Sequence, residues 1–144
     1  MYKFCRLLLV IFLLNFPMSL FAKENFFSEA KIMFDEKNLN DSKFLLQRNI
    51  VFNPKHAKSY LYLAKIYNLE ENKKKEEKNL NTTLLLEPDN EEAIYMLINI
   101  NLKKSNYKEV KDLKKKFLLV CKDFCEKTSA IDEALKDIEP KNES

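Results

Sequence analysis

The stretch AKSYLYLAKIYNLEENKKKEEKNLNTTLLLEP, residues 57–88, decides the fold. Its first part sets Tyr60, Leu63, Ala64 and Tyr67 at offsets of 0, 3, 4 and 7, one stripe of an amphipathic helix over residues 57–69. Asn72 interrupts that helix, and a second one over about 74–86 turns Leu80, Thr83 and Leu84 inward. Pro88 ends it, because proline has no N–H to donate and its ring clashes with the preceding turn. Ala64 is small enough to let the paired helices approach closely.

The same pattern recurs on both sides at an interval of 34 residues. Asn38, Asn72 and Asn106 keep that spacing, as do Ile32, Ile66 and Ile100, and Pro54 and Pro88. A period of this length predicts helix–turn–helix units, each burying its apolar face only by stacking on the next. The expected fold is all-α, an α-solenoid of about three such repeats, at about 23–56, 57–90 and 91–122. The chain has no glycine, so left-handed backbone at the helix ends is expected to fall on the three asparagines.

These residues resemble the tetratricopeptide repeat family. Its first-helix pattern, W-x2-L-G-x2-Y, is matched by Tyr60-x2-Leu63-Ala64-x2-Tyr67, and its second-helix pattern more loosely by Glu76, Leu80 and Pro88. The preceding unit offers Phe26, Ala30, Met33, Ser42, Leu46 and Pro54, and the following one Ile94, Leu97, Ile98, Tyr107 and Val110. Glu29, Asn101 and Lys122 depart from the pattern, where leucine, tyrosine and proline are expected. The resemblance implies a concave face, lined by the first helix of each unit, that receives a protein or peptide segment. Carried over position by position, that face holds Phe27, Lys31 and Phe34, then Leu61, Lys65 and Asn68, then Tyr95, Asn99 and Leu102. Changes at Leu61 or Tyr95 are expected to spare the fold. The family's cationic carboxylate clamp is missing, because Phe27, Tyr62, Glu92 and Met96 occupy most of its positions.

Residues 1–22 read as a targeting segment. Lys3 and Arg6 form a basic start, Leu7 to Leu14 an apolar run, and Ala22 a small residue at a cleavage point. The run is shorter than the about 20 apolar residues of a spanning helix. Export to the periplasm is therefore expected, with retention as an inner-membrane anchor the alternative. Beyond residue 22 the chain carries 23 basic and 22 acidic groups, and Arg48 is its single arginine. Near-neutral charge and scarce guanidinium argue against nucleic-acid binding.

A further amphipathic helix is expected over 123–139, with Ile131, Ala134, Leu135 and Ile138 on one face, capping the solenoid. Asp123 with Glu126, or Ser129 with Asp132, would form its capping box. Its acidic charge complements the lysines of 103–116, and residues 140–144 are expected to form a disordered tail. Without Cys5 the cysteine count is even, which predicts a disulfide between Cys121 and Cys125 at a helix–helix junction in an oxidising compartment. A redox dithiol, a soft-metal site or a pair of buried thiols are the alternatives. His56 is the chain's one histidine, so no hydrolytic triad assembles, and the absence of glycine excludes phosphate-binding loops. The function read from the sequence is a non-enzymatic protein-binding scaffold without a cofactor. The alternative is a small thiol or soft-metal handling protein using Cys121 and Cys125.

Overall fold

The structure, a computed structural model, describes residues 25–136. The targeting segment expected over 1–22 and the tail expected over 140–144 lie outside the described residues. The helices are α1 (Phe26–Asp35), α2 (Leu39–Phe52), α3 (Ala57–Leu69), α4 (Lys73–Leu86), α5 (Glu91–Lys103), α6 (Tyr107–Val120) and α7 (Thr128–Lys136). A 3-10 turn, Cys125–Lys127, precedes α7. Successive helices pack in pairs and the pairs stack, as an α-solenoid of helical hairpins requires.

The turn inside each hairpin is the same device three times. Lys37, Glu71 and Ser105 take positive φ, at 64°, 56° and 56°. Each donates its N–H to a carbonyl of the helix it ends, and the following asparagine reaches one residue further back. Asn38 bonds Met33 O at 2.8 Å, Asn72 bonds Tyr67 O at 2.9 Å, and Asn106 bonds Asn101 O at 2.9 Å. This is a Schellman closure, with the left-handed residue one place before the asparagine. The expectation that asparagine supplies the left-handed backbone is thus corrected. Each asparagine has negative φ and stands at the N-cap of the next helix, and of the three only the Asn72 side chain makes the capping bond. Asn72 accepts from Lys75 N, and Asn25 and Asn90 cap α1 and α5 in the same way.

Two apolar clusters form the core. Ala30, Leu46, Leu63, Ile66 and Tyr67 join the first two hairpins. Leu61, Ala64 and Leu80 of the second meet Ile94, Leu97, Ile98, Val110 and Phe117 of the third, and Ile131 of α7 closes the set. Stacking explains the irregular first unit. Ile66 and Ile100 are 0% and 4% exposed, but the equivalent Ile32 is 53% exposed, because no hairpin precedes it among the described residues. Glu29, in the register of the buried Leu63 and Leu97, is exposed on that same end face. Asn101, in the register of Tyr67, is buried and keeps both ends of its amide bonded, donating to Leu97 O and accepting from Asn106. Glu76 is also buried, its carboxylate accepting from Asn68 and Lys73.

The C-terminal segment differs from the helix expected over 123–139. Residues 121–124 are irregular, and α7 begins only at Thr128. Neither expected capping box forms its start. The N–H of Asp123 is taken by Glu91, and the Ser129 hydroxyl donates to Glu126 O at 3.1 Å. Lys114 pairs with Asp132, so the basic α6 and the acidic segment do meet. Among the described residues no helix is long and apolar enough to cross a membrane.

Candidate functional site

A cleft of about 510 Å³ opens between the first helices of the three hairpins and the loop after α6. Phe27 of α1 and Leu61 and Tyr62 of α3 supply apolar surface, and Phe124 closes the far end. The aromatic rings meet edge to face. Phe27 and Phe34 lie 5.5 and 5.2 Å from Tyr62, centroid to centroid, and Phe27 lies 4.6 Å from the His56 ring. These contacts follow from the register, since Phe27 and Phe34 are seven apart on α1 and flank Tyr62 on the neighbouring α3.

Charge rims this floor. Lys65 pairs with Glu92 at 2.7 Å and lies 4.7 Å above the Tyr62 ring, so α3 and α5 are joined across the cleft. Lys31 pairs with Asp35 at 2.8 Å, and the hydrogen bond to Asp35, then its charge, holds the ammonium above the usual lysine range. His56 stands at the N-cap of α3, with its Nδ1 2.9 Å from the Ser59 hydroxyl. Burial, assisted by the Lys58 charge, pushes its pKa below the ordinary 6.5.

Glu91 builds the far wall. Its carboxylate accepts from the backbone N–H of Lys122, Asp123 and Phe124, the last two at 3.1 and 3.3 Å. Burial works to raise its pKa, but the three backbone donors outweigh it and hold the carboxyl below its ordinary 4.5. The loop is thus fixed against the N-terminus of α5, and Phe124 packs 6.3 Å from Tyr95. Cys121 and Cys125 bracket the loop with Cα atoms 5.2 Å apart, within reach of one another. Among the described residues no three His, Cys, Asp or Glu side chains gather where they would hold a metal ion.

The nine groove residues named from sequence divide. Phe27, Lys31, Leu61 and Lys65 line the cleft, and Phe34 supports it through Tyr62. Leu61 is only 5% exposed and belongs to the core, so the expectation that a charge there spares the fold is corrected. Asn68 donates to Glu76 at 2.6 Å and ties α3 to α4. Tyr95 lies against Phe117 and Phe124, Leu102 packs on the core, and Asn99 is half-buried. The cleft is lined instead by Glu91 and Glu92 of α5 and by Asn90 at its N-cap, because the loop folds back over Tyr95. Lys58, Lys122, Asp123 and Phe124 also line the cleft, outside the nine positions that the repeat marks. Lys58 was within reach, being one turn before Tyr62 on α3. The other three owe their place to hydrogen bonds spanning more than 30 residues.

No protein-family pattern and no curated protein matches the chain. Its fold does match a solved one. A chain from a CopN-Scc3 complex superimposes with a TM-score of 0.62 at 14% identity, covering 81% of this chain and 68% of that one. At that identity the likeness is one of fold, and it is to a chain solved within a complex.

Proposed function

We propose that this chain is an exported, non-enzymatic scaffold that receives a segment of a partner protein in the cleft between its first helices. The observation that carries the reading is the cleft itself: an aromatic floor already assembled, open to solvent and rimmed by both signs of charge. Such a surface suits apolar anchor residues flanked by polar ones, the usual make-up of a bound peptide or helix. The partnership of the structurally similar chain in its own complex supports this use of the fold. Residues 1–22 support export. In an oxidising compartment the juxtaposed Cys121 and Cys125 are bonded, which holds the cleft's far wall in place.

The test is site-specific photocrosslinking in the native host. A photoreactive residue at Lys58, in the cleft, is compared with one at Lys78 on the second layer of helices. The cleft position should yield one discrete protein adduct, lost when Phe27→Ser and Lys31→Glu are introduced together. Adducts from position 78 alone would place partner binding elsewhere and end this reading.

A further inference from the structure

Val51, Leu85 and Leu119 stand at one register, 34 residues apart, in the last turns of α2, α4 and α6. They are 76%, 80% and 86% exposed, and Phe52 and Leu118 beside them are more than half exposed. A lone exposed leucine calls for no explanation. The same apolar projection in every hairpin does, since a polar residue there would leave the core untouched.

Charge selects what covers this stripe. The exposed positions of α2, α4 and α6 hold seven lysines and arginines against three acids. A base shares the helix face with each projection: Arg48 three residues before Val51, Lys78 seven before Leu85, and Lys115 four before Leu119. A second copy docked stripe to stripe would bring these like charges together. An acidic protein would need a separate pocket for each of three separate tips. A bilayer interface needs none, because apolar tips enter between headgroups at any spacing while lysine and arginine stems lie along the surface and reach the phosphates.

We propose that the stripe of Val51, Leu85 and Leu119 docks this protein on a membrane containing anionic lipid. The cleft lies on the other layer of helices, α1, α3 and α5, and stays open to a protein partner while the stripe is engaged. Each base near an anionic surface contributes about fivefold in partitioning, and salt screens that contribution.

The chain has no tryptophan, so Leu85→Trp places its one indole on the stripe and Lys58→Trp places it in the cleft. The full chain is mixed with phosphatidylcholine vesicles carrying brominated acyl chains, with and without phosphatidylglycerol. At position 85 the emission should shift to the blue and be quenched only with phosphatidylglycerol present, and added salt should reverse both changes. The indole at 58 should stay unquenched. Adding Val51→Ser and Leu119→Ser to the Leu85→Trp chain should weaken partitioning by about tenfold. Water-like emission at 85, equal quenching by neutral vesicles, or quenching at 58 as well would each overturn the proposal. So would an indole at 85 that answers to an acidic protein and to no vesicle.

Discussion

Glycine at position 71 should make this protein more stable. Glu71 closes α3 at a φ of 56°, a left-handed backbone that costs an L-residue about 1–2 kcal/mol through the approach of its Cβ to the carbonyl oxygen. Glycine escapes that cost but has more freedom to lose on folding, about 0.4–1 kcal/mol. The difference is a net gain of about 1 kcal/mol for Glu71→Gly, or about 4 °C in melting temperature for a domain of this size. Glu71→Ala is the needed control. It removes the same carboxylate from the unfavourable C-terminal end of a helix dipole, yet keeps the Cβ. Melting followed by circular dichroism, with urea midpoints at 25 °C, separates the two. Lys37→Gly and Ser105→Gly occupy equivalent turns 34 residues away on either side, so their gains should add. If alanine stabilises as much as glycine, charge rather than backbone strain sets the cost, and the reasoning fails.

Acid should weaken the fold in two steps. The folded-state pKa values of His56 and Glu91 are both lowered, so below each unfolded value the unfolded chain binds more protons. Stability should fall first as pH drops below 6.5 through the folded His56 value, then again below 4.5 through that of Glu91. Urea titrations across that range check both, with Glu91→Gln expected to erase the second step. Glu76→Ala should cost about 1–3 kcal/mol, because the half-buried Asn68 amide is left without its acceptor, and a double-mutant cycle with Asn68→Ala should show the two coupled. Thiol labelling of exported protein should fail at Cys121 and Cys125 until reductant is added, and Cys125→Ser should lose about 2 kcal/mol of stability at most, since so short a loop carries little chain entropy.

The neighbours of each groove residue decided whether it served the cleft. Phe27, Lys31 and Lys65 were legible because a repeat places equivalent positions on one face whatever their identity. Leu61 obeys the same register but is drawn into the core by the third hairpin, and Tyr95 is covered by a loop that no period announces. The turns teach a similar lesson. Three asparagines at a 34-residue spacing marked where the chain reverses, yet the left-handed residue was their neighbour, a lysine, a glutamate or a serine. Asparagine satisfies two demands at once, closing one helix with its N–H and heading the next, and that outweighs its tolerance of positive φ.

The sequence by itself determined the helices, their pairing and the order in which the pairs stack. Hydrophobic period, proline and asparagine act over a few residues, and a 34-residue repeat leaves each unit only its neighbours to pack against. The tertiary structure alone decided where the C-terminal segment goes. Three backbone N–H groups freed at 122–124 needed an acceptor, and Glu91, more than 30 residues earlier, was the carboxylate that stacking had brought beside them. A bond of that range has no signature in composition or spacing, because it depends on the positions of two elements only after both have packed.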